Sequence, residues 1–586
     1  MSPPSIASIP SGTVASSRRH DLDALRAAAM LLGIVYHAAL SLASNFPWFV
    51  QDPASDSWMY GFASFVHGFR MPLFFLLSGF FTAMLWVKRG ALALIWHRFR
   101  RVLLPCLLGC ITLVPLSNAL IGYAMKQSAE HRNAVLAAGK AEPSVWEAIR
   151  KFDTEAVRGN LEGGTSMSEL HREYRLTPLT WAALVGDVGT TQLLLERGCD
   201  PNIRNEDGGT ALHAAAFLGR ADVAHLLIER GADVNARNAA GESPLGTAHG
   251  DLAFVPYITG LIGLQAEMAD VKAGRGRIIT ELESHHAVLH TRGGSQGAKA
   301  AGNGQRVDWN SIWQGLIYIP VFSYLWFLWM LWWLVVAFAL AQAVLRWIPW
   351  RGVDWKWMLT PAAIACMMGL TMLPTSSMQA LAVMLGPDTS VGLVPMPHVF
   401  AYYAVFFFFG IAYFLADDHE QRLGSGWRWM LPAALLVVFP IALELNTGIW
   451  GLRQACVPAS LLPLAANASQ TLYAWWMSLG CIGWFQSMMK REKHWVRYMS
   501  DASYWMYVAH FPLVILAQVW VLRLPLPAGL KLLAISVGTI LVLLVSYHTC
   551  VRSTWLGWFL NGTRAPRKRP APSAETSASG TTVPAG

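Results

Sequence analysis

The chain has 586 residues, 54% hydrophobic and only 14% charged. Soluble globular domains carry about 25% charged residues, so an ordinary soluble enzyme is excluded. The formal net charge of +9 lies mostly in short clusters between apolar segments, the arrangement of membrane loops and not of a nucleic-acid surface.

The first 23 residues lack the apolar core of a signal peptide, so the first hydrophobic segment is expected to be a retained anchor. Runs of about 20 apolar residues predict membrane helices. Ten such runs are found, at 22–43, 61–86, 102–124, 312–345, 357–384, 398–415, 428–445, 459–488, 503–522 and 530–550. The 27 tryptophans suit bilayer interfaces. The seven cysteines show no CxxC spacing, which gives neither a metal site nor a disulfide framework.

Basic residues give the orientation. Arg18 and Arg19 precede the first run, and "KRGALALIWHRFRR" (88–101), "KREKHWVR" (490–497) and "RAPRKR" (564–569) are basic. The loops at 44–60 and 386–398 have no Lys or Arg. Basic loops stay cytoplasmic, so both termini are expected inside. Arg523 and Lys531 are a mild exception to the pattern.

Residues 125–311 are polar and contain a repeat. "TPLTWAALVGDVGTTQLLLERGCDPNIRNEDG" (177–208) aligns with "TALHAAAFLGRADVAHLLIERGADVNARNAAG" (210–241), and Thr177, Thr210 and Ser243 are spaced by 33 residues. This pattern resembles the ankyrin repeat, with a Thr helix cap, small Ala contacts and Gly helix stops. Residues 145–164 and 243–262 resemble terminal repeats. The division is 1–124 (three spans), 140–262 (ankyrin region), 263–311 (linker, with "TRGGSQGAKAAGNGQ" as its core), 312–555 (about seven spans) and 556–586 (disordered tail). The span count places the ankyrin insert outside the cytoplasm. The expected fold class is all-α: a polytopic membrane helix bundle of about ten spans with an inserted ankyrin solenoid.

Within the first run, "LRAAAMLLGIVYH" holds Arg26 and His37. Eleven helical residues rise about 16 Å and return to within about 20° of the starting direction. The two side chains therefore share a face at different depths. On spacing alone, a snorkelling arginine and a packing histidine explain them as well as a functional pair does.

Arg-x10-His in a first span resembles the acyltransferase-3 family of membrane acyltransferases. "FVHGFRMPLFFLLSGFFTAML" (65–85), "HRFRRVLLP" (97–105), "YLWFLWMLWW" (324–333) and "SDASYWMYVAHFPLV" (500–514) also resemble its blocks. Among subfamilies, the glucan biosynthesis protein C group is the most similar, a group associated with succinylation of periplasmic glucans. The resemblance covers 18–124 and 312–555, and the ankyrin insert departs from it.

The resemblance implies an inner-membrane O-acyltransferase that moves an acyl group, succinyl or acetyl, from acyl-CoA to a glycan hydroxyl outside the cytoplasm. His37 is the expected base, since imidazole suits proton abstraction near neutral pH. Arg26 is expected to steady donor phosphate or oxyanion. Arg98, Arg100 and Arg101 are expected at the phosphates of acyl-CoA, although the same cluster serves as a topology signal. His67, Arg70 and His510 are expected to bind substrate. For His67 and Arg70 an interfacial packing pair is the equal alternative. No bound cofactor, metal or nucleic acid is expected. The expected partners are acyl-CoA, a glycan, membrane lipid and a protein on the ankyrin surface. An exporter of anionic or acylated glycan and a membrane-tethered ankyrin scaffold are the rival classes.

Overall fold

The computed structural model describes residues 19–138, 144–290, 316–345, 354–378, 384–489 and 493–554, with short gaps inside these stretches. Regular structure among them is helical, apart from one isolated bridge between Ala43 and Asp56. The predicted linker core at 291–305 and nearly all of the predicted tail lie outside the described residues.

The membrane part begins with α1 (His20–Leu40) and α2 (Ser57–Arg89). Asp56 caps α2 by accepting the Trp58 amide at 3.2 Å, satisfying one of the helix's orphan donors. Gly90, at φ 78°, ends it. There the chain turns into α3 (Ala91–Arg98), a π-helical turn (Phe99–Leu103) and α4 (Leu104–Ala138). The third span is therefore much longer than the predicted 102–124.

The ankyrin region follows as three helix pairs. They are α5 (Val145–Arg150) with α6 (Thr154–Glu162), α7 (Pro178–Val185) with α8 (Val188–Glu196), and α9 (Ala211–Leu218) with α10 (Ala221–Glu229). Then come the short α11 (Pro244–Ala248) and α12 (Met268–Ser284). The repeat positions cap as expected. Thr177 accepts the Thr180 amide at 3.3 Å and Ser243 the Gly246 amide at 3.3 Å. Gly186 and Gly219 end α7 and α9 at φ 90° and 66°, a conformation that costs glycine little.

Helix α12 corrects the sequence reading, which placed an irregular linker at 263–311. Val271, Ile278 and Leu282 recur on one face of α12 and are buried in the ankyrin core. Arg275 is 4% exposed, and its guanidinium donates to the carbonyls of Phe217 (3.0 and 2.7 Å) and Gly250 (2.5 Å). A side chain at Gly274 would collide with the Gly219 carbonyl. Gly274 permits this close helix approach, because it carries no side chain. The ankyrin core therefore extends past 262, and Ser243 bonds both Val288 and His290.

The second membrane part comprises α13 (Trp326–Leu345), α14 (Pro361–Ser376), α15 (Pro397–Leu415), α16 (Trp427–Ala433) and α17 (Phe439–Thr447). It ends with α18 (Leu462–Met488), α19 (His494–Leu522) and α20 (Ala528–Ser546). Helix α13 starts well after the predicted 312, following a 3-10 turn at Ser323–Leu325. Helices α16 and α17 are joined by a π-helical turn into one apolar rod.

Among the described residues, eight helices are long and apolar enough to cross a membrane. The remaining two predicted spans fall to α14 and α18. Helix α14 has 16 residues, about 24 Å against a hydrocarbon core of about 30 Å. Helix α18 is long enough, but its polar run Asn467–Thr471 lowers its hydropathy. Those groups turn inward: Asn467 donates to the Met372 carbonyl at 2.9 Å, while Gln470 and Thr471 are buried.

Helix α2 lies at the centre, packed on α1, α15 and α18. Gly79 sits against the Phe407 carbonyl and Gly410 against that of Leu76, so neither position accepts a side chain. Small residues let helix backbones approach closely inside a membrane.

Candidate active site

Helices α1 and α19 lie side by side and join at two levels. At the first, Arg26 donates to the Ser500 hydroxyl at 2.9 Å, pairs with Asp23 at 3.3 Å and covers the Phe81 ring at 5.1 Å. Next to Phe81 on α2, Thr82 accepts from Arg98 at 3.0 Å. The Arg98 Nε atom and the Tyr504 hydroxyl are buried without a partner. Arg100 and Arg101 stand on the adjoining π turn. A cationic cluster with unspent donors thus lies at this level of the bundle.

At the second level, about 16 Å along α1, the His37 ring lies 5.2 Å from His510 and 5.4 Å from Phe511. His510 is 3% exposed, and its Nδ1 lies 2.6 Å from the Tyr507 carbonyl. Helix α2 adds His67 and Arg70. The His67 ring stacks on Tyr36 at 5.5 Å, and its Nδ1 donates to the Leu385 carbonyl at 3.1 Å. The Arg70 guanidinium lies over the Tyr36 ring at 5.0 Å, and against Gly33. His37, His67 and Arg70 keep partial accessible surface. His37 Nδ1, Arg70 Nε and His510 Nε2 are buried with no partner. Buried polar atoms are almost always paired, so three orphans in one place make this the candidate ligand site.

The structure brings His37, His67, Arg70 and His510 together and places Arg26 with Arg98 at the other level. Arg26 is therefore not beside His37. Asp23 pairs with Arg26 and Asp21 with Arg19 at 2.7 Å. Neither caps α1, because the guanidinium groups are the stronger local partners. Glu444 accepts the Trp450 and Leu452 amides at 2.8 and 2.5 Å, which fixes a loop. Ser78 and Gly79 serve helix packing.

Several contributors were not singled out from sequence. The 41–56 loop lays Trp48 beside His37 at a ring distance of 6.0 Å. Trp48 Nε1 donates to Gln518 at 3.0 Å, and Gln518 Nε2 donates to the His37 carbonyl at 2.8 Å. The Tyr324 hydroxyl donates to the Val508 carbonyl at 3.0 Å, and that of Tyr507 to the Tyr324 carbonyl at 2.9 Å. Tyr507 was visible one turn before His510, and Trp48 as an aromatic in a loop without cations. The Gln518 contacts join residues more than 400 positions apart and left no local signal. Among the described residues, no group of three or more His, Cys, Asp or Glu is arranged to hold a metal.

These helices and this recess define an integral membrane protein with a buried basic site and an inserted repeat domain. A family model described as an acyltransferase domain matches residues 19–131 and 285–550, more than half of the chain, and the chain belongs to this acyltransferase-3 family. A second model, ankyrin repeats in three copies, matches residues 145–238. Similar curated proteins include glucans biosynthesis protein C of Salmonella schwarzengrund and of Salmonella typhi, each 36% identical over 138 residues. The same protein of Salmonella paratyphi B is 35% identical over 138 residues. These alignments cover 23% of this chain and 35% of each relative, so the chain spans about a third of the length of the curated relatives it matches.

Proposed function

We propose that the protein is an O-acyltransferase of the inner membrane that carries an acyl group from acyl-CoA to a hydroxyl of an extracytoplasmic glycan, a glucan being the first choice. The observation that carries this reading is the pair of levels on α1. Arg26 and Arg98 form a cationic cluster at one level, and His37 with Arg70 and His510 forms a cluster with unpartnered nitrogens at the other. An anionic donor held by its phosphates at the first level places its reactive end toward the second. There His37 takes the proton of the acceptor hydroxyl. Arg70 faces the developing oxyanion or, for a succinyl group, its free carboxylate.

The termini lie in the cytoplasm and the ankyrin region outside it. That region offers its surface to a protein partner or flanks the acceptor entrance. The names of the relatives support a glucan acceptor. The deciding experiment is mass spectrometry of surface and periplasmic glycans from cells with and without the gene. Loss of an acyl ester supports the reading, and identical glycans refute it. An activity reporter fused near Gly208 tests the sidedness: a reporter that works only outside the cytoplasm should be active there and silent after Arg497.

A further inference from the structure

We propose that His37 and His510 act as one two-ring base, with His510 Nε2 as a second acceptor for the hydroxyl proton. This inference rests on the acyl-transfer reading above. The Tyr507 carbonyl oxygen can only accept, so its 2.6 Å contact holds the proton of neutral His510 on Nδ1. The lone pair is then on Nε2, which is buried and without a partner. The ring is 5.2 Å from His37, tilted by 35° to it.

An imidazole kept only for packing would have both nitrogens satisfied or be replaced by an apolar ring. Here Phe511, the next residue, already supplies such a ring, edge-on to His37 at 5.4 Å. The charged and titratable groups around the pair are known on each neighbouring element. Tyr36 comes from α1, His67 and Arg70 from α2, Tyr324 from the turn before α13, and Tyr507 from α19. With Arg70 as the standing cation, two imidazolium ions this close repel each other strongly, so the pair carries one proton at a time.

The step balances with an acyl thioester as donor. The acceptor O–H bond breaks and its proton passes to the ring pair. The oxygen bonds the thioester carbonyl carbon, and the C–S bond breaks. The departing thiolate takes the proton, leaving ester, thiol and a neutral pair.

The test uses the full-length protein in lipid nanodiscs with acetyl-CoA or succinyl-CoA and a gluco-oligosaccharide, following free thiol and product mass. His510→Asn is the informative variant, because its amide can still donate to the Tyr507 carbonyl while the Nε2 lone pair is gone. Rates are compared per folded molecule. His510→Asn and His510→Ala should each lower kcat by about 100-fold or more, and His510→Asn should change the shape of the acid limb of the pH–rate profile. Adding His37→Ala should cost at most a few-fold beyond the worse single variant, as for residues that act as a unit. A His510→Asn enzyme within about threefold of wild type, or losses that multiply in the double variant, overturn the inference. Failure of the wild type to transfer either acyl group overturns the acyl-transfer reading for these donors. Activity lost in His37→Ala but kept in His510→Asn overturns only the two-ring base.

Discussion

Lys531 donates to both carboxylate oxygens of Asp52, at 2.8 and 2.7 Å, and the two side chains are only 3% and 4% exposed. Lys531 also donates to the Leu522 carbonyl at 3.3 Å. The pair ties the 41–56 loop to α20, and the same loop holds Trp48 over His37. Gln51 adds a second tie, its backbone N–H donating to the Ser128 hydroxyl on α4 at 3.0 Å. The loop is thus anchored to both α20 and α4.

Removing one partner of a buried pair leaves an uncompensated charge, at about 3–5 kcal/mol, whereas replacing both with apolar groups is often close to neutral. Lys531→Met should therefore lower the thermal stability of the purified protein markedly, and Asp52→Leu with Lys531→Met should recover most of it. The double variant should still transfer more slowly than wild type, because Trp48 is less firmly placed. A Lys531→Met protein that melts at the wild-type temperature would refute the stabilising role of the pair.

Lys531 also illustrates what the sequence conceals. As a charge in a short loop it breaks the positive-inside pattern. Its carboxylate partner lies more than 450 residues away, so the exception disappears only when the fold pairs them. The depth difference between Arg26 and His37 was legible, because helix geometry is local. Their separation into two sites was not, because Ser500, Thr82 and His510 come from other helices. The ankyrin repeats were legible from their 33-residue period. Helix α12 was not, because its apolar face is narrow and its partners, Phe217, Gly219 and Gly250, come from the repeats before it.

The cationic level makes a separate prediction about the donor. Arg98→Ala with Arg101→Ala should raise the apparent KM for acyl-CoA about 10–100-fold, the value of one or two charge-assisted hydrogen bonds. The acceptor KM should change little. Initial rates over a grid of both substrates check this. Equal effects on the two substrates would reduce the cluster to a topology signal.

The ankyrin region makes a prediction about pH. His213 Nδ1 accepts the Thr210 amide at 3.2 Å, and its Nε2 donates to the Glu242 carbonyl at 3.1 Å. Both contacts need the neutral ring, and burial holds its pKa below the ordinary histidine value. The folded pKa is thus below the unfolded one. The stability from neutral His213 is complete above the unfolded value, about 6.5, and is lost as pH falls below it, by at most about 1.4 kcal/mol per pH unit. His225 runs the other way. Its fully exposed ring is pushed up by the Glu281 carboxylate, so that contact is lost as pH rises. Burial makes His213 the dominant group. Hydrogen exchange across 211–248 should therefore speed up between pH 7 and pH 5 in the full protein, and His213→Gln should flatten the change.

Helix α12 decides where the insert can be removed. Replacing 140–262 with a Gly/Ser linker would leave α12 behind. Val271, Ile278 and Leu282 would lose their core, and Arg275 would lose the Phe217 and Gly250 carbonyls that take up its guanidinium. Burial of three such aliphatic side chains contributes several kcal/mol, at about 1.5–3 kcal/mol each, so the stranded helix should promote aggregation. Replacing 144–290 removes the whole packed unit, and none of the proposed site residues lies within it. The longer deletion should give a monodisperse protein in detergent that still transfers to a small acceptor, while the shorter one should elute as aggregate. Gly274→Leu probes the same contact without a deletion. Its side chain would meet the Gly219 carbonyl, and overpacking of this kind costs about 1–3 kcal/mol. Faster hydrogen exchange in α9 and α12, with transfer to a small acceptor unchanged, is the expected result. Complete loss of transfer in a monodisperse 144–290 deletion would make the ankyrin unit part of the active site, and would refute its assignment as a separate binding module.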